Sequence, residues 1–261
     1  MERKYVIGLD YGTLSGRAII ADCKDGTVLA SAVKEYDHGV MSEYLPDGTE
    51  LTGTGWALQN PKDYIDVLKY IIPEAVAQSG VSSKDIIGLD FTSCTMLPVD
   101  ENNVPLCLLV KNVSRPHAWV KLWKHHGAQK QADEINELLK KRGEIDNIQF
   151  GGKISSELLL PKILQIVEED PELYDEAASF LEVGDWLTQI LTNGRKRSGN
   201  LAGYKAMWTP ETGYPSKDFL LQLSPKLENL TEDKLGDDIT LAGQPVGYLT
   251  EDWAKELGLC A

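Results

Sequence analysis

Asp10-Tyr11-Gly12-Thr13-Leu14-Ser15-Gly16-Arg17 decides how this chain is read. The residues before it, Tyr5 to Leu9, are a short apolar run of the kind that forms a buried strand. The residues after it, Arg17 to Asp22, read as a second strand. A buried strand gains nothing from a carboxylate at its tip, so Asp10 calls for a partner. The turn between the strands supplies the setting. Gly12 and Gly16 let the backbone approach a ligand closely. Exposed N–H groups in such a turn form a nest for an anion. Thr13 and Ser15 add hydroxyls, and Arg17 adds a fork of donors suited to phosphate oxygens. Asp10 repels phosphate, so its natural partner is Mg²⁺, direct or through water. Together these residues suit a triphosphate with its metal. A hairpin turn with an incidental Asp and Arg is the competing reading. The spacing is neither GxxxxGK[ST] nor GxGxxG, and the chain continues into a strand, not a helix.

Working outward, Asp25-Gly26 signals a turn, and Val28 to Tyr36 alternates as a third strand, giving an N-terminal meander. Residues 37–58 are polar and Gly-rich and read as a surface excursion. Asn60-Pro61 starts a helix that Gly80 ends, with Tyr64, Val67, Leu68, Ile71 and Ala75 as its apolar stripe and a kink expected at Pro73. Ile86 to Phe91 and Met96 to Val99 read as strands. Ile87-Gly88-Leu89-Asp90 echoes Ile7-Gly8-Leu9-Asp10, so both strand tips could face one cleft. Helical spacing follows over Pro116 to Gln129, Gln131 to Arg142, Ser155 or Ser156 to Val167, Pro171 to Ala178 and Asp185 to Leu191. Phe180 to Val183 and Val246 to Leu249 read as short strands, and Glu251 to Leu257 as a last helix. The order is mixed α/β with an antiparallel start, not a βαβ repeat.

Length and composition fit a globular chain: 261 residues, 42 % hydrophobic and 25 % charged. A formal net charge of −14 argues against nucleic acid or an anionic membrane as partner, yet it leaves a local nucleotide site open. No signal-peptide pattern and no run of ~18 to 20 apolar residues is read. Cys23, Cys94, Cys107 and Cys260 lack metal-ligand spacing, and free thiols in a cytoplasmic protein are expected. His125 and His126 are adjacent, so on a helix they diverge by about 100° and cannot chelate one metal.

Gly8-Leu9-Asp10-Tyr11-Gly12-Thr13, with Arg17 beyond, resembles the first phosphate loop of the actin, Hsp70 and sugar-kinase superfamily. Further segments sharpen the resemblance: Gly88 to Met96, Pro116 to His126, Ser155-Ser156-Glu157 with Pro161 to Leu164, Gly184 to Leu187, and Ala202 to Trp208. They resemble the FGGY carbohydrate kinases over nearly the whole chain. Within that family they are most similar to the members that phosphorylate L-ribulose. The resemblance implies a ribonuclease-H-like α/β fold, a mixed sheet flanked by helices. It makes residues 1–261 the N-terminal domain of a longer, two-domain chain, with an ATP and sugar cleft between the domains.

The resemblance also implies roles. Asp10 would serve the metal. Gly12, Thr13 and Leu14 would meet the γ-phosphate, and Arg17 would support the phosphate or the metal-bound Asp10. Thr92, Ser93, Thr95, Met96 and Lys205 would line the sugar site, although Lys205 also reads as an ordinary surface lysine. The family's Trp-x-Asp-x-Arg element is sought at Val110 to Arg115, where the Asp is missing, so Arg115 receives no role. The catalytic carboxylate is expected beyond Ala261, and Asp237, Asp238 and Asp252 read as a solvated acidic face. The implied activity of the intact enzyme is ATP- and Mg²⁺-dependent phosphorylation of a ketopentose, L-ribulose, at a terminal hydroxyl, in arabinose catabolism. The present chain alone is expected to be inactive. Alternatives are a non-catalytic sugar- or nucleotide-binding module of actin-like fold, or an FGGY kinase for xylulose or glycerol. A homodimer is compatible with the sequence.

Overall fold

The computed structural model describes residues 4–82, 95–144 and 152–260. β1 (Tyr5–Tyr11), β2 (Ser15–Asp22) and β3 (Val28–Glu35) form an antiparallel sheet in chain order. The register sets Asp10 opposite Arg17 and Tyr11 opposite Gly16. Ile7, Leu9 and Tyr11 on β1, with Ala18 and Ile20 on β2, turn one face inward with the period of two that a strand imposes. That face receives α1 (Pro61–Ser79), which buries Tyr64, Val67, Leu68, Ile71, Ile72 and Ala75. α1 starts where the sequence predicts: Asn60 caps it by accepting from the Lys62 amide at 3.0 Å, and Gly80 ends it at φ 65.

A second sheet has the order β4 (Leu58–Gln59), β6 (Val120–Lys121), β5 (Met96–Val99), β7 (Ser179–Glu182). It is buried on both faces. Leu97, Val99, Val120 and Leu181 join the core of the first sheet and α1, with α5 (Val183–Thr192) and α8 (Glu251–Leu257) completing it. Leu58, Met96 and Phe180 face the larger core. That core also draws on α2 (Gln129–Arg142), α3 (Leu159–Glu169), α4 (Pro171–Glu176), α6 (Gly199–Ala206) and α7 (Lys217–Leu223). A short parallel pair, β8 (Arg197–Ser198) with β9 (Ile239–Thr240), was not foreseen in the sequence.

Several expectations change. Residues 37–58 lack regular structure up to β4, as expected, but Met41, Leu45, Leu51 and Ala57 are buried, so the excursion caps the larger core. Pro116 to Gln129 is not a helix. It is a 3₁₀ turn at Pro116–Ala118, then β6, then turns up to α2. The reason is tertiary: Leu58 and Gln59 on one side and Met96 on the other offer backbone partners that a helix would forgo. Val246 to Leu249 forms no strand among the described residues. Gly16 answers to packing, since a Cβ there would lie 2.5 Å from Val67 Cγ1. The predicted strand Ile86 to Phe91, and the echo it carries, lie outside the described residues. No helix among the described residues is long and apolar enough to cross a membrane.

Candidate active site

The hairpin between β1 and β2 closes with the Gly12 amide donating to Ser15 O at 2.9 Å. It borders a cavity of about 260 Å³ lined by Asp10, Gly12, Thr13, Gln59, Thr95 and Trp123, among others. The turn is strapped from three elements. The Tyr36 hydroxyl donates to Gly12 O at 3.0 Å, Gln59 Nε2 to Thr13 O at 2.8 Å, and Trp123 Nε1 to Thr13 Oγ1 at 3.1 Å. Behind them, the Tyr64 hydroxyl donates to Gln59 Oε1, and the Tyr11 hydroxyl to Tyr64 O at 3.1 Å. Burial pushes the Tyr11, Tyr36 and Tyr64 phenols up, which keeps them protonated donors. The amides of Thr13 and Leu14 make no hydrogen bond within the protein among the described residues. Such a turn offers N–H donors and a carboxylate to one open volume, the donor set of an anion with a bound cation.

Comparison with known proteins decides the family. Residues 5–208 match the model of the N-terminal domain of the FGGY family of carbohydrate kinases. The chain belongs to the FGGY family. It is 49 % identical over 250 residues to a ribulokinase of Bacillus licheniformis, covering 95 % of this chain and 45 % of that one. It is 47 % identical over 261 residues to a ribulokinase of Halalkalibacterium halodurans, covering 99 % and 46 %. This FGGY chain thus spans about half the length of the curated relatives it matches. Among solved structures, a ligand-bound xylulose kinase of Lactobacillus acidophilus superposes with TM-score 0.72 at 17 % identity, over 98 % of this chain and 46 % of that one. A gluconate kinase of the same organism gives 0.70 at 18 %, over 99 % and 46 %. These likenesses establish the fold as the mixed α/β one the sequence resemblance implied.

The FGGY chain gathers some of the expected site residues and separates others. Asp10, Gly12, Thr13 and Thr95 share the cavity. Thr95 is fixed there by its amide donating to Glu182 Oε2 and by its carbonyl accepting from Val183 N, both at 2.8 Å. Arg17 sits beside the site, its Nε 3.9 Å from Asp10 Oδ2 across the ladder. The Leu14 side chain projects outward, 62 % exposed, so only its backbone can serve the turn. The Met96 side chain is sealed in the larger core and presents nothing to the cavity. Lys205 lies half-buried on α6, outside this cavity's lining. Thr92 and Ser93 lie outside the described residues. Arg115 is engaged elsewhere, with Nε donating to Asp170 Oδ2 at 3.0 Å and NH1 3.7 Å from Glu176 Oε2. Asp237, Asp238 and Asp252 are exposed. Gln59, Tyr64 and Trp123 were missed by the sequence reading. Only Trp123 left a signal, as part of the Pro116 to His126 resemblance.

That segment also carries a second polar cluster, sealed on the other face of β6. Lys121 Nζ lies 3.0 Å from His117 Nδ1, 3.3 Å from Gln165 Oε1 and 4.7 Å from the centre of the Trp56 ring. His125 Nε2 meets the same Gln165 oxygen at 3.0 Å, and His117 Nε2 meets Glu169 Oε2 at 3.0 Å. Burial brings the Lys121 amine down to about 7, His117 to about 4 and His125 to about 2. Lys162, also sealed, donates to Leu122 O at 2.9 Å.

Proposed function

We propose that residues 1–261 form the N-terminal domain of an ATP-dependent ribulokinase. The intact enzyme transfers the γ-phosphoryl group of ATP to a terminal hydroxyl of a ketopentose, L-ribulose. One observation carries the reading: Asp10, Gly12 and Thr13 line one cavity at a turn where the amides of Thr13 and Leu14 have no acceptor among the described residues. Phosphoryl transfer asks a protein mainly for positioning and for charge stabilisation, and this turn is built for both. The two relatives named ribulokinase support the choice of sugar.

The donor set fits MgATP. Mg²⁺ is commonly held by one or two carboxylates plus phosphate oxygens, and Asp10 supplies one such carboxylate at the cavity's edge. When bound, the cation neutralises phosphate charge. The protein's own part is to present amide protons at Thr13 and Leu14, with Arg17 adding positive charge beside Asp10. Thr95, with Thr92, Ser93 and Lys205, would contribute to the sugar side, and a carboxylate base from the remainder of the enzyme would take the hydroxyl proton. A sugar and ATP are the partners, in the cytoplasm.

The test is sugar-dependent ADP formation by the intact enzyme across L-ribulose, D-ribulose, xylulose and glycerol, with Asp10→Ala alongside. L-Ribulose should give the highest kcat/KM, and Asp10→Ala should abolish turnover while sugar binding persists. A higher kcat/KM on xylulose or glycerol would replace the substrate. Undiminished turnover in Asp10→Ala would overturn the kinase site.

A further inference from the structure

Thr13 is held from two sides in a way that decides which of its atoms can face a ligand. Gln59 Nε2 donates to its carbonyl at 2.8 Å, and the Trp123 indole donates to its Oγ1 at 3.1 Å. An indole nitrogen only donates, and a hydroxyl has a single proton to give. The Trp123 bond therefore occupies a lone pair of Oγ1 and turns the hydroxyl proton away from the indole. With the carbonyl engaged by Gln59, the proton-bearing groups left to Thr13 are its amide and its hydroxyl. We propose that Trp123 and Gln59 are positioning residues that engage the two Thr13 oxygens and so orient its amide and hydroxyl protons toward the terminal phosphoryl oxygens of a nucleotide. The proposal rests on the kinase reading above.

The supports of both straps are themselves fixed. The Gln59 amide can face only one way, because the Thr13 carbonyl only accepts and so takes Nε2, which leaves Oε1 to accept from the Tyr64 hydroxyl. Gln59 and Tyr64 are both buried. Trp123 follows Leu122, whose amide donates to Ala57 O at 2.9 Å and whose carbonyl accepts from the sealed Lys162 amine at 2.9 Å. The indole is thus placed from the core, although Trp123 as a residue is 42 % exposed. Hydrogen bonds from neutral donors to an anion are roughly twice as strong as those between neutral groups, so orienting two donors beforehand favours the phosphoryl group. A loose Thr13 would expose its carbonyl oxygen to the same anion part of the time.

The experiment is a double-mutant cycle in the intact enzyme. Trp123→Phe keeps an aromatic ring and removes the N–H, and Thr13→Val keeps the shape and removes the hydroxyl. Each is read by kcat, by sugar KM and by binding of the non-hydrolysable analogue AMP-PNP with Mg²⁺. Each single variant should lower kcat and weaken AMP-PNP binding by about 5- to 10-fold, the size of one oriented hydrogen bond. Sugar KM should stay within about twofold, and the double variant should be no worse than Thr13→Val alone. Replacing Trp123 by β-(3-benzothienyl)alanine, which has sulfur for the N–H in an unchanged outline, should reproduce Trp123→Phe and guards against a folding defect. Multiplying effects in the double variant, or full activity without the indole N–H, would overturn the proposal alone. Failure of the unaltered enzyme to bind AMP-PNP would overturn it together with the kinase reading.

Discussion

Two polar clusters flank the same short sheet. Gln59 pairs with Val120 and faces the β1–β2 turn at Thr13, whereas Leu58 pairs with Lys121, which faces the sealed cluster of His117, His125 and Gln165. One residue's shift along the strand moves a side chain from one cluster to the other. The turn leaves N–H donors toward open space. The sealed cluster turns its polar atoms on one another. Strong shifts in titration mark the sealed cluster, where burial disfavours charge. Perturbed titration is a useful pointer to active sites, but buried structural networks produce it too. Here an open cavity with unused donors is the better guide.

The sharpest way to break this comparison is activity. In the intact enzyme, Asp10→Asn should lower kcat by about 100- to 1,000-fold, the range expected when a transition-state charge loses its support. Lys121→Met should leave kcat/KM within a few-fold. Comparable losses in both, measured by coupled ADP release, would erase the distinction between the clusters.

Stability against pH tests the sealed side. Lys121 titrates at about 7 when folded and near 10.5 when unfolded, so between these values the unfolded chain binds more protons. Stability should therefore rise from pH 7 toward 10, by a few kcal/mol at most, before the raised tyrosine phenols reverse the trend. His117 and His125 act lower: the unfolded chain takes up protons near 6.5 while the folded ones resist, so stability falls as pH drops from 6.5 toward 4. Urea midpoints across pH would show both slopes. Lys121→Met should flatten the upper one, and a slope that survived unchanged would assign it to other groups.

Smaller effects probe how the first sheet carries the turn. Gly16→Ala should cost about 1–3 kcal/mol through overpacking against Val67, and Val67→Ala in the same chain should recover part of it. Thermal melts of the three variants would check this, with full additivity counting against the contact. Asn60→Ala should cost about 1 kcal/mol by removing the cap of α1, and an unchanged melting temperature would deny the cap its role.

Much of the frame was legible because its causes are local. Asp10 to Arg17 fixed a hairpin, and the Asn60 cap and Gly80 stop fixed α1 within a residue. What the sequence hid was long-range. Gln59 lies 46 residues from Thr13 and Trp123 lies 110 away, so no local pattern links them. Pro116 to Gln129 has helical spacing, yet strand partners on both sides claimed its centre. Gly16 reads as room for a ligand until Val67 is seen to fill that room.

By itself the sequence determined the chemistry on offer: a carboxylate, small donors and an arginine at a strand's end, in a chain resembling FGGY kinases throughout. Tertiary structure decided which of those groups are free to act. It engaged the Thr13 oxygens with Gln59 and Trp123, sealed Met96 in the core, and left the amides of Thr13 and Leu14 without an acceptor among the described residues. The physical reason is that residue type sets what a group can donate or accept, while only packing sets which partners have already taken it.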